Sequence, residues 1–517
     1  MVVLDGISLT PGAVARIARD GVSVELDPAA RTRNDDARRA LHVILARGDD
    51  LYGVSTGVGP LRGYRLEGAE REDHQVRLLR SHACGAGAPL SVERVRAAMA
   101  VRANQLGAGG AGVSEELLDT LVGALDAGIA PTTRELGSLG TGDLTALADI
   151  GLALLGEGEV RVCRRGAPDG EGGAPSGDGD QLVDARDALR AAGLSPARLG
   201  PRDGLAFMSS NAVTIGHAAL LVVDARALLD TWLTVAALSF EAAGADPAAL
   251  DPRAHSARHR PGQSAVAARM RGLLQGIEGR AREPAPIAIQ DPYPFRALPQ
   301  VDGVVHDALA ALDQTVTYEL NFAGENALVV AGGDVALANG NPHAAALANA
   351  IDGLRTAMAQ SAALIAARVS ALLDTTLTGL PAFLARNPGP ESGALILEYT
   401  SHAAAAEVRS LVTPVAAQTV SVARGVESHS SLAPIAARRA HEALDALRAL
   451  VAVELVAAVR ALRLAEHEPV GAGSRRLYER AAAQLDPDMH DRPLHGDVEM
   501  ARRLVAGHDR RVSEAGR

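Results

Sequence analysis

Lysine is absent from this 517-residue chain, so all 51 of its basic Lys/Arg positions are arginine. No imine can form between a lysine and a carbonyl substrate or pyridoxal phosphate, which excludes that route to amino-acid chemistry. Aromatic residues are scarce, at 2%. Ala, Leu and Val must therefore fill the interior, which favours closely packed helices over a β-sandwich. Only two cysteines occur, Cys84 and Cys163. They form no CxxC, so neither a disulfide framework nor a zinc ribbon is supported, and both read as ordinary core or loop residues. No run reaches about 18 consecutive apolar residues, so no membrane span is expected. The N-terminus lacks the charged-then-apolar pattern of a signal peptide. These absences imply a soluble, cytoplasmic protein. Acidic residues outnumber basic ones, 62 to 51, which disfavours a nucleic-acid or anionic-membrane partner.

What is present is length and helical patterning. A chain of this size is too long for one simple core. Residues 1–200 read as an N-terminal lobe, 201–480 as a central helical bundle and 481–517 as a polar C-terminal segment covering the surface. In the first lobe a helix ends near Ala46, a Gly-rich loop covers 51–61, and helices are expected near 73–84 and 91–106. Leu144, Leu147, Ala148, Gly151, Leu154 and Leu155 recur at helical spacing after a Gly-rich turn. Residues 165–180 form a low-complexity loop. Long Ala/Leu-rich helical patterns span 203–275, 300–385 and 391–465. The run from Ala436 to Ala465 is the longest and is of a kind that buries itself in bundles. The fold class is mainly α.

Several constellations carry chemistry. Tyr52 enters the glycine-rich loop Tyr52-Gly53-Val54-Ser55-Thr56-Gly57, where a phenol can stand over a pocket and act as a general base. Gln290-Asp291-Pro292-Tyr293-Pro294-Phe295-Arg296 is a rigid, extended segment. It fixes Tyr293 and Arg296, and an arginine there suits bidentate binding of a carboxylate. Gly137-Ser138-Leu139-Gly140-Thr141-Gly142-Asp143 leads into a helix N-terminus, where free N–H groups favour negative charge. Asn321, Asn326, Asn339 and Asn341 lie between apolar runs and can orient a substrate or make turns. Glu407 interrupts an alanine run, and a carboxylate on an apolar helix face is costly unless paired. Glu427 and His429 follow it. His255 and His259 have the i, i+4 spacing of metal ligands, but Arg253, Arg258 and Arg260 around them would repel a dication, so no metal is expected.

Taken together, these segments resemble the aromatic amino-acid ammonia-lyases and aminomutases. The Tyr52 loop, residues 78–87 (LLRSHACGAG), GSLGTGDL at 137–144, GLAFMSSNA at 204–212, the Tyr293 block, the Asn326 and Asn341 segments and the Glu427-Ser428-His429 triplet occur in that family's order and spacing. The resemblance implies a histidine/phenylalanine ammonia-lyase-like fold and a homotetramer acting on a small-molecule substrate. It implies Tyr52 as the base, Arg296 as the carboxylate clamp, Tyr293 and Asn326 as supporting polar groups, and Gln290 and Glu407 as completing the pocket. His82 would set side-chain preference and, with Glu407, points to the histidine-specific branch.

Family members make an electrophilic methylidene-imidazolone group (MIO) from their own Ala-Ser-Gly. Here the segment is one residue shorter, and Thr141 replaces the serine that dehydrates. A group built from Gly140, Thr141 and Gly142 would carry an extra methyl that hinders attack. Ser209 stands where the family has an asparagine that bonds the group, and Asn211 lies two residues on. Three readings stay open. One is an ammonia-lyase or aminomutase for an aromatic or histidine-like amino acid, with an MIO-like group. The second is a homologue lacking that group, using Tyr52 for another elimination, isomerisation, conjugate addition or cyclisation in specialised metabolism. The third is an inactive binding subunit.

Overall fold

The computed structural model describes residues 1–67, 69–163, 182–277 and 290–515. The low-complexity stretch 165–180 lies outside them. The described chain is dominated by helices, with four small sheets of two or three strands.

The expected helices form, with sharper limits. The first long helix runs Pro28–Ala46, capped by Asp27, whose carboxylate accepts from Ala29 N at 2.7 Å. A carboxylate there satisfies an N–H that the helix leaves open. The helices near 73–84 and 91–106 are Ala69–His82 and Val92–Gly107. The periodic segment after Gly142 is Leu144–Leu154. The run read as Ala436 to Ala465 is Ala433–Leu464. The 300–385 pattern is broken: Leu298–Leu320 and Ala345–Leu373 flank an antiparallel hairpin, Leu328–Val330 with Val335–Leu337.

Two compact units interleave along the chain. One comprises Met1–Val223, Asp313–Ile351 and Pro414–Arg438; the other comprises Asp224–Leu312, Asp352–Thr413 and Arg439–Arg517. This differs from the contiguous lobes expected from sequence. Four of the boundaries fall inside the long helices Ala212–Ala242, Leu298–Leu320, Ala345–Leu373 and Ala433–Leu464. No linker composition marks such a boundary.

The spine of the first unit is Val92–Gly107, buried from Val95 onward. Its Arg102 is fully buried and meets Glu325 at 2.8 Å. The same guanidinium donates to the carbonyls of Ala206 and Phe207. A buried charge is tolerated only when so completely paired. Arg102 thereby fixes the end of the short helix Asp203–Met208, next to Ser209 and Asn211.

The second unit is built on long helices whose single tryptophan, Trp232, is 1% exposed. Arg368 and Glu454 pair across its core at 2.6 Å. The C-terminal segment is not merely a polar cover: Leu485, Ala501, Leu504 and Val505 are buried. Two segments, Asp203–Ala242 and Ala345–Leu373, are long and apolar enough to cross a membrane, with mean hydropathy 1.6 and 1.4. Within the chain 83% and 67% of those apolar windows are buried, as in core helices.

Candidate functional site

Gly140, Thr141 and Gly142 form a tight loop ahead of helix Leu144–Leu154. Gly140 has φ +88° and Gly142 φ +140°, both in the region that favours glycine. A Cβ on Gly140 would stand 2.0 Å from Ser431 Oγ, so a side chain there must displace that hydroxyl. Ser431 Oγ donates to the Gly140 carbonyl at 2.9 Å, and Ala344 N donates to it at 3.1 Å. Leu432 N closes the contact by donating to Leu139 O at 2.8 Å.

Below the loop lies Asp143, fully buried. Its carboxylate accepts from Ser138 Oγ at 2.6 Å, Thr214 N at 2.7 Å and Thr214 Oγ1 at 2.9 Å. Burial pushes its carboxyl above the usual range, and these hydrogen bonds pull the other way. Asp143 N donates to Ser210 O at 2.6 Å, which ties the loop to the segment carrying Ser209 and Asn211.

Above the loop, Thr141 Oγ1 donates to Glu427 Oε2 at 2.6 Å. Two residues on, His429 Nδ1 lies 2.9 Å from His343 Nε2. Asn211 reaches the same segment, its Nδ2 donating to the Pro342 carbonyl. Because that carbonyl can only accept, the amide orientation is fixed and Asn211 Oδ1 faces the other way. That oxygen is buried and has no partner among the described residues.

Tyr52 lies in its expected loop. Gly59 N donates to Tyr52 Oη at 2.7 Å. Gln75 bridges this loop to helix Asp203–Met208, donating to Gly53 O at 2.8 Å and accepting from Leu205 N at 2.9 Å. Gly53 has φ +69°, and a Cβ there would strike Leu205. His82 ends helix Ala69–His82 with Nδ1 2.8 Å from Leu78 O. A carbonyl only accepts, so Nδ1 carries a proton in this contact.

The chain is similar to known proteins over nearly its whole length. The family described as "Aromatic amino acid lyase" matches residues 9–483. The chain belongs to the aromatic amino acid lyase family. It is a histidine ammonia-lyase-like member of this carbon–nitrogen lyase family. It is 34% identical to a histidine ammonia-lyase of Symbiobacterium thermophilum, over 97% of this chain and 96% of the relative. Its fold is similar to that of ergothionase, an ergothioneine-degrading enzyme of Treponema denticola. The TM-score is 0.91 at 26% identity, covering 98% of this chain and 99% of the other. It is likewise similar to histidine ammonia-lyase of Trypanosoma cruzi, with TM-score 0.88 at 28% identity, covering 99% and 95%.

The residues expected in the lyase pocket divide between the two units. Tyr52, His82, Gly140, Thr141, Gly142, Ser209, Asn211 and Asn326 belong to the first. Asn326 Oδ1 accepts from Asn339 N at 3.2 Å. Asn321 is structural, its side chain bonded to both the N–H and the carbonyl of Leu9. Gln290, Tyr293, Arg296 and Glu407 belong to the second unit. Tyr293 and Arg296 occupy a four-residue helix, with the guanidinium 4.7 Å from the phenol ring centre.

Glu407 requires a correction. It is exposed on helix Leu395–Ser410, so the burial cost that singled it out does not arise. The carboxylate at Thr141 is Glu427. Sequence reasoning noticed Glu427 and His429 only as a motif, and it did not single out His343 or Ser431. His255 is accounted for without a metal: its nitrogens meet Ala249 O and Gln263 Nε2, each at 3.0 Å.

The loop does not fit the MIO group well. The family's alanine would be strained at Gly140, where φ is +88° and its Cβ would displace Ser431 Oγ. The Thr141 hydroxyl that would have to leave as water is held on a carboxylate. The Asn211 amide N–H is taken up by the Pro342 carbonyl, whereas the carbonyl of such a group needs donors.

Proposed function

We propose that this chain is a carbon–nitrogen lyase for a histidine-like or aromatic amino-acid substrate, and that it eliminates without a protein-derived electrophile. The observation that carries the reading is the Thr141–Glu427 hydrogen bond, 2.6 Å long, where the family builds its electrophile. Tyr52 takes the proton from the carbon β to the carboxylate. The C–H electrons form the new double bond, the C–N bond breaks, and its pair leaves with the nitrogen. Glu427 favours a cationic nitrogen beside Thr141 by charge, and so keeps it a competent leaving group. His82 keeps its Nε2 free of the Leu78 contact for a polar group on the substrate side chain. The names of the relatives, histidine ammonia-lyase and an ergothioneine-degrading enzyme, support a histidine-derived substrate.

The reading places the enzyme in the cytoplasm as a homotetramer and keeps Arg296 as the expected carboxylate clamp. Large apolar side chains left exposed on the second unit, Tyr293, Ile396 and Tyr399, support association.

A second reading has one observation in its favour. The Gly140 carbonyl takes two donors, which would polarise it toward attack by Gly142 N. Turnover of histidine, phenylalanine, tyrosine and ergothioneine by Thr141→Ala and Glu427→Gln separates the two. Without an electrophile, Thr141→Ala keeps a measurable rate and Glu427→Gln is the poorer enzyme. Complete loss in Thr141→Ala with a milder defect in Glu427→Gln favours the second reading.

A further inference from the structure

A small cleft with a cavity volume of about 30 Å³, open to solvent, lies in the first unit beneath the Gly137–Asp143 loop. It is lined by Arg94, Arg134 and Arg438, with Ser138, Glu135 and Thr145 among the other residues. It lies apart from the Thr141–Glu427 contact, and neither residue lines it.

Three guanidiniums converge here with little to neutralise them. Arg94 and Arg438 are half-buried and make no hydrogen bond or ion pair with the described residues. Arg134 is exposed, donates to the Gly87 carbonyl at 2.9 Å and acts by charge on Asp149. The Asp143 carboxylate also faces the cleft, but Ser138 and Thr214 already occupy its oxygens. Glu135 is the second carboxylate, so two carboxylates stand against three guanidiniums. Like charges held together in a half-buried cleft repel, and partial burial strips water from them without replacement. A bound anion would relieve both. Helix Leu144–Leu154 adds to the field. Its first turn reaches the cleft at Thr145 and Ala146, and the Asp143 side chain does not cap it.

We propose that this cleft is a binding site for a small oxyanion of the phosphate class. The guanidinium fork matches the oxygens of a phosphate. Ser138 couples the site to catalysis, because its hydroxyl donates to both Gly142 O and Asp143 Oδ1. An oxyanion bound at Ser138 acts on the loop that carries Thr141. This inference is independent of whether the electrophile forms.

The test is inorganic phosphate titrated into the full-length enzyme, followed by calorimetry and by hydrogen exchange, with sodium chloride at matched ionic strength as control. The expected result is saturable binding of one phosphate per chain. Exchange slows in peptides covering 134–146 and 434–438, and sodium chloride produces neither effect. Arg94→Gln/Arg438→Gln weakens the binding at least about tenfold. Should the double variant misfold, Arg438→Gln alone weakens it in the same direction. Absence of saturable binding, protection confined to other peptides, or undiminished affinity in the folded variants would overturn the proposal.

Discussion

Thr141 Oγ1 lies 2.6 Å from Glu427 Oε2, although 286 residues separate the two in sequence. The proposed reading keeps the Thr141 hydroxyl as a hydrogen-bond donor to this carboxylate. Glu427→Gln keeps the shape and removes the charge. If the carboxylate holds the departing nitrogen as a cation, turnover falls roughly a hundredfold or more while substrate still binds. A steady-state comparison of kcat and KM decides this, and an unchanged kcat would count against the role.

Tyr52 is the base in this account. Tyr52→Phe removes the phenol oxygen that accepts from Gly59 N. The expected loss in kcat is roughly a hundred- to ten-thousand-fold, with the circular dichroism spectrum unchanged. A folded variant with normal turnover would eliminate Tyr52 from the chemistry.

Gly140 is the tightest point of the loop. Gly140→Ala places a methyl against Ser431 Oγ and forces a side chain onto a backbone with φ +88°. The variant is expected to lose about 1–3 kcal/mol of stability. Activity should fall with it, because Ser431 and Ala344 both hold the displaced carbonyl. Denaturant unfolding and turnover are the measurements.

Glu325 pairs with Arg102 at full burial in the first unit. Removing one partner leaves the other charge unpaired. Glu325→Gln is therefore expected to cost about 3–5 kcal/mol in denaturant unfolding. A loss below about 1 kcal/mol would mean that the carbonyls of Ala206 and Phe207 suffice for Arg102.

Glu319 supplies a pH dependence. Burial pushes its carboxyl from 4.5 up to about 7. The folded state favours the protonated form, so this stabilisation is present in full below about pH 4.5. It is lost as pH rises through about 7. Glu319→Gln should therefore match the parent near the acid end and exceed it in melting temperature above neutrality. The gap should be on the order of 2 kcal/mol. Equal melting curves at both ends would refute the shift.

Much of this was legible before the structure. The apolar spacing after Gly142 gives helix Leu144–Leu154, because periodicity is a local property. The segment order places Tyr52, Asn211 and the glycine loop in one family. What could not be read was long-range. Glu407 drew attention because it broke an alanine run, but its helix face turned out to be exposed. Glu427 meets a residue 286 positions away, and His343 meets His429, 86 positions away. The unit boundaries were hidden because helices such as Ala212–Ala242 run straight through them without a change in composition.

The central claim is that Thr141 keeps its hydroxyl. Intact mass of the purified full-length chain tests it most directly, with peptide mapping over Ser138–Leu144 to locate any change. The account predicts the mass of the unmodified segment. A mass lower by two waters, localised to Gly140-Thr141-Gly142, would contradict it.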